Sequence, residues 1–182
     1  LGKTVQTAQS ADVVSHETGH AILDGLKPEY GHTFDNETKG FHEAFGDCAA
    51  MLLTLSRSSN RANILAETGG HLSKENCLSR MGEEFGKAVR LFNHDTSDDR
   101  DYLRTALNGF KYVDPLSLPN DGPRETLSAE AHSFCQIWTG AFYRAIQNVF
   151  KTTGDLEKTG EIVGKLFLTG VQMTSPARAR YA

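Results

Sequence analysis

The chain has 182 residues, 38 % of them hydrophobic and 23 % charged, which is enough apolar material for a core and a length suited to one domain or a compact pair. Nineteen basic against 23 acidic residues give a net charge of -4 with no local block of Lys and Arg, so the electrostatic footprint of a nucleic-acid binder is missing. The longest apolar run, 48–55, falls far short of the roughly 20 residues that cross a bilayer, and three scattered cysteines (Cys48, Cys77, Cys135) build neither a disulfide framework nor a Cys-type zinc site.

The chain opens on Leu1 without the charged and apolar regions of a signal peptide, and reads as a processed or excised piece of a longer protein. Over 10–26 the apolar residues Val13, Val14, Ile22, Leu23 and Leu26 recur at helical spacing, with Ser10 as N-cap and Pro28 beyond the end. After a polar link, 37–55 predicts a second helix with a buried stripe of Phe41, Ala44, Phe45, Cys48, Leu52 and Leu55. Weaker helical patterns cover 61–67 and 81–92. An acidic loop with ion-binding character is expected at 93–101, and a proline-rich loop at 113–124. Long helices follow at 128–150 and 156–171. Alternating strand patterns are nearly absent, so the fold class is mainly α and bundle-like, with residues 1–182 as a single helical domain.

Within the first helix stands His16-Glu17-Thr18-Gly19-His20, the HExxH pattern. Residues four apart lie one helical turn above each other, about 5 to 6 Å apart at Cβ, so two imidazoles can converge on one ion while the carboxylate between them points beside it. A catalytic zinc needs a third protein ligand and an open position. The second helix offers Glu43, with Asp47 one turn on; one acid can ligate while the other accepts the outer ring N–H of a ligating His. His42 is a rival third ligand, although residues 42 and 43 point about 100° apart and only Glu43 shares a face with Asp47.

These residues resemble the thermolysin-type (gluzincin) metallopeptidases, in which the HExxH helix is followed by a helix carrying Asn-Glu-Ala-x-x-Asp; the run here is His42-Glu43-Ala44-Phe45-Gly46-Asp47, with His42 in place of Asn. The resemblance implies His16, His20 and Glu43 as zinc ligands, Glu17 as general base and Asp47 as the partner of His16, and Asp24 matches a carboxylate that the family keeps. Far down the chain, Ala131-His132-Ser133-Phe134-Cys135-Gln136-Ile137, with Ala141 and Tyr143, is similar to the family's segment whose His stabilises the oxyanion, with Cys135 in place of Ser. Leu103-Arg104-Thr105 resembles the run that clamps the substrate carbonyl, a task suited to a bidentate guanidinium. Tyr30 approximates the family's oxyanion-stabilising Tyr with an offset of one residue, and His32 is a rival.

Asp12 matches a calcium-ligating Asp, whereas Thr54 stands where a calcium Glu is expected, leaving Glu83, Glu84 and the 95–101 loop to compensate. His71 and His94 have no partner at ligand spacing and read as solvated. The resemblance thus implies the C-terminal helical lobe of a secreted zinc endopeptidase acting on peptides or proteins. Its N-terminal β-rich lobe is absent from the sequence, and calcium is a candidate second ion. The rival expectations are a non-catalytic zinc-binding module that keeps the motif for folding, and an HExxH hydrolase of another kind.

Overall fold

A computed structural model describes the backbone of residues 8, 10–93, 100–175 and 177–181, and the side chains of all of these but 91–93. Leu1, His94 and most of the expected acidic loop lie outside the described residues. Helix accounts for 64 % and strand for 2 %, so the chain is mainly α. Among the described residues no helix is long and apolar enough to cross a membrane.

The helices are α1 (Ala11–Leu26), α2 (Asn36–Ser56), α3 (Ser58–Thr68), α4 (Glu83–Asn93), α5 (Ala131–Phe134), α6 (Gln136–Thr153) and α7 (Leu156–Met173). The central one is α2. Its start is set by Asp35, whose carboxylate accepts the Thr38 backbone N–H at 2.9 Å and the Thr38 hydroxyl at 3.0 Å, the task of an N-cap. Phe41, Ala44, Phe45, Cys48, Met51 and Leu55 then form its buried face. Leu52, expected in that stripe, lies at its edge, partly buried and packed on the core. From α6 and α7, Phe142, Ile146, Val163 and Phe167 close the core on α2, with the Phe167 ring packed at a tilt against Phe45 and Phe142, 5.2 and 4.9 Å between ring centres. Meanwhile α1 packs along the other side of α2 and leaves Val14 and Ile22 nearly half exposed on its outer face.

The expected helix over 128–150 starts three residues later and is interrupted at Cys135. Residues before 131 are held out of the helix because Ser133 Oγ accepts the Ser128 N–H and Glu130 serves as the cap of α5. A two-residue antiparallel ladder pairs β1 (Arg80–Met81) with β2 (Arg104–Thr105), Met81 opposite Arg104. It is too short to leave an alternating pattern. The turn after β1 needs Gly82 in the left-handed region, with φ 68°. Asp12 accepts the backbone N–H groups of Gly82 and Glu83 at 2.9 and 3.3 Å there, tying α1 to the start of α4.

Candidate metal centre

The site forms where α1 and α2 cross, and two glycines set how closely they cross. A Cβ added to Gly19 would stand 2.8 Å from the Gly46 Cα, and one added to Gly46 would stand 2.7 Å from the His16 ring. The His16 imidazole therefore lies flat over the backbone of α2, with Glu43 at one ring nitrogen and Asp47 at the other. Gly46→Ala is expected to cost about 1–3 kcal/mol through forced repacking, read by urea denaturation, and to displace the His16 ring.

Among the described residues, His16, His20 and Glu43 form the one group of three or more His, Cys, Asp or Glu side chains whose ligand atoms all lie within 4.8 Å of one another. His16 Nε2 is 3.2 Å from Glu43 Oε2, and His20 Nε2 is 3.8 Å from Glu43 Oε1. The outer nitrogens face away from the group: His16 Nδ1 donates to Asp47 Oδ1 at 3.0 Å, and His20 Nδ1 meets His42 Nδ1 at 2.6 Å. Both ring nitrogens of His42 are engaged, Nδ1 by the outer nitrogen of His20 and Nε2 by Asp24 at 2.9 Å, so Glu43 is the third member and the all-His set is not formed.

Behind His16, Asp47 is the anchor. Its side chain is 2 % exposed and accepts Arg104 Nη2 at 2.7 Å, Arg104 Nε at 3.0 Å and the Thr139 hydroxyl at 3.0 Å besides His16. Burial acts to raise the Asp47 pKa, but the Arg104 guanidinium and the His16 hydrogen bond outweigh it and hold the carboxyl well below its usual range. On His16, burial is the largest single influence and acts downward. Hydrogen bonds to Asp47 and Glu43 together overcome it and push the imidazole up to about 9. For His20 burial prevails and lowers the pKa. Burial likewise acts to raise Glu43, and the His16 hydrogen bond with the His132 and His20 charges brings it below its ordinary value.

Glu17, exposed between the two histidines in sequence, lines a cavity of about 420 Å³ together with Arg104, His132 and the apolar Val13, Met81, Phe85 and Leu103. His132 reaches the site from the start of α5, its Nε2 3.2 Å from Glu43 Oε2, while Nδ1 donates to Glu130 at 2.7 Å. Glu130 also accepts the Ser133 N–H at 3.0 Å, so a single carboxylate caps α5 and orients the His132 ring. Arg104 arrives through the short ladder and lies over Asp47. Asp47 holds Nε and Nη2, while Nη1 has no partner among the described residues.

One expectation needs correction. Tyr30 is 2 % exposed and belongs to the core; its hydroxyl donates to the Ser175 carbonyl at 2.8 Å and meets Thr174 Oγ1 at 3.1 Å, so it is committed to the segment after α7 rather than to an oxyanion. The carboxylate of Asp12, the residue matched to a calcium-ligating Asp, accepts the backbone N–H groups of Val13, Gly82 and Glu83 and the Ser10 hydroxyl. Thr54 turns back onto the Ala50 carbonyl, and Glu83 pairs with Arg80. His32 and His71 are exposed. The sequence reading missed Gly46, Glu130 and Thr139. Of these only Glu130 left a signal, an acid two residues ahead of a His at a helix start.

Comparison with protein-family models, with curated proteins and with solved structures returns no match for this chain. The site itself is a two-His, one-carboxylate cluster on crossed helices, flanked by the Glu17 carboxylate and by His132.

Proposed function

We propose that the chain carries the zinc centre of a peptidase of thermolysin (gluzincin) type and takes part in hydrolysing peptide bonds. The observation that carries this reading is the convergence of His16 Nε2, His20 Nε2 and Glu43 on one point, with both outer imidazole nitrogens already held. Two histidines and a glutamate are a donor set of catalytic zinc, and the ring-orienting partners are what such ligands require. Bound zinc supplies Lewis acidity that brings a water's pKa toward about 7 and polarises a carbonyl.

The chain's own residues have the remaining tasks. Glu17 accepts the proton of the attacking water and returns it to the leaving amine. His132, fixed by Glu130, presents Nε2 to the negative charge developing on the carbonyl oxygen. Arg104 offers Nη1 to a neighbouring substrate carbonyl while Asp47 holds its other two nitrogens. The apolar cavity takes one substrate side chain beside the scissile bond. Val14 and Ile22 on the outer face of α1 offer apolar surface for the N-terminal lobe that the resemblance implies.

Metal analysis of the purified protein and cleavage of fluorogenic peptides test the reading together. The expected result is about one zinc per chain, with hydrolysis that a chelator abolishes and zinc restores. Failure to take up zinc overturns the reading, and zinc without cleavage favours the non-catalytic module. A pH dependence follows as well. The proton that His16 keeps up to about pH 9 lies where a cation would bind, so zinc must displace it. Competition titrations at rising pH are expected to show apparent zinc affinity increasing by about tenfold per unit from this group between pH 7 and 9.

A further inference from the structure

Next to the proposed ligands lies a second hydrogen-bonded chain that the hydrolysis scheme does not use. His20 and Asp24 are one turn apart on α1, and His42 reaches across from α2 between them. His20 Nδ1 and His42 Nδ1 are 2.6 Å apart, with ring centres 4.7 Å apart and ring planes 28° from parallel, and His42 Nε2 is 2.9 Å from Asp24 Oδ1.

Two ring nitrogens at that separation share one proton. A carboxylate only accepts, so the nitrogen of His42 that faces Asp24 carries N–H, and a neutral His42 is then an acceptor at Nδ1. His20 is left as the donor through Nδ1–H, with a bare Nε2 turned toward Glu43. In the opposite arrangement His42 would donate through both nitrogens as an imidazolium, and a neutral His20 would carry its proton at Nε2, where it could not ligate.

We infer that His42 is a positioning residue for His20, selecting the tautomer that leaves Nε2 free to ligate, and that Asp24 in turn holds His42. The inference deepens the proposed function and rests on its ligand set. The two ligand histidines are then secured differently: His16 directly by the buried Asp47, and His20 by the half-exposed Asp24 through an intervening imidazole.

The test uses the whole chain and four proteins: wild type, His42→Ala, His42→Asn and Asp24→Ala. Two-bond 1H–15N spectra of the zinc-free proteins report the His20 tautomer, and competition with a chromophoric chelator reports zinc affinity. Wild type is expected to show His20 protonated at Nδ1. His42→Ala is expected to lose that single tautomer and about 10- to 100-fold in zinc affinity. His42→Asn, whose amide oxygen can accept the same proton, retains both within about threefold. Asp24→Ala, altered at the outer end of the chain, shows an intermediate loss, and being at a half-exposed position it also serves if His42→Ala fails to fold. The inference is overturned if wild-type His20 carries its proton at Nε2, if His42→Ala changes neither readout, or if Asn does no better than Ala. Should the wild type take up no zinc, the ligand set itself fails, while the zinc-free spectra still decide what His42 does.

Discussion

Replacing Glu17 by Gln is expected to lower peptide hydrolysis by roughly 10²- to 10⁴-fold, the range of a lost general acid–base group, while zinc uptake stays at the wild-type level. Glu17 lies on the exposed face of α1, lines the cavity, and makes no hydrogen bond with another described residue, so its amide isostere leaves the fold and the three converging ligand atoms in place. A change at such a position usually alters stability by no more than about 0.5 kcal/mol. The loss should therefore fall on kcat, with KM little changed, because what is removed is proton transfer rather than substrate contact. Metal analysis alongside steady-state kinetics separates the two, and wild-type turnover in Glu17→Gln would remove Glu17 from the reaction.

Asp47→Ala is expected to act on the fold as well as the site, by about 3–5 kcal/mol, because it leaves the Arg104 charge buried without its partner. For a chain of this length that corresponds to a fall in Tm of roughly 10 °C. The same substitution removes the acceptors of His16 Nδ1 and of the Thr139 hydroxyl, so zinc affinity should drop with stability. Thermal unfolding followed by circular dichroism, with and without zinc, measures both effects. An unchanged Tm would mean that Arg104 finds another partner.

The pH dependence of stability has a definite sign on each side. Arg104 and His16 hold the Asp47 carboxyl below its unfolded value of about 3.9, so its contribution is complete above that pH and is lost as pH falls through the lower folded value. His16 is the reverse case. Raised to about 9 from an unfolded value of about 6.5, it contributes fully below pH 6.5, and that contribution is lost as pH rises toward 9. With a chelator present, the wild type is thus expected to be most stable between these limits. Asp47→Ala should weaken the dependence on both sides, since it removes one group and the main partner of the other.

How much of this was legible in the sequence depended on how far apart the partners lie along the chain. His16 with His20, and Glu43 with Asp47, could be paired in advance because helical spacing of four places side chains on one face whatever the rest of the chain does, whereas the meeting of the two pairs was implied only by the resemblance. The same periodicity located α1, α2 and α7 to within two residues. Tyr30 could not be placed, because a one-residue offset in a short turn leaves no periodic trace. Its actual partners, Thr174 and Ser175, lie about 145 residues further on. The break at Cys135 was hidden for a related reason: Glu130 and Ser133 compete for local backbone and side-chain groups without altering the apolar pattern.

By itself, then, the sequence determined a mainly helical chain and which side chains could meet one turn apart, since helix geometry needs no knowledge of the neighbours. The meeting of the two helices was decided only in the tertiary structure, at Gly19 and Gly46, where the absence of Cβ atoms lets His16 lie on the backbone of α2. That close approach brings Glu43 and Asp47 to opposite nitrogens of one ring, sets His42 between His20 and Asp24, and leaves Asp47 open to Arg104 from a two-residue ladder too short to announce itself. The separation of roles between Asp47 and Glu43 is therefore a property of the crossing as well as of their spacing.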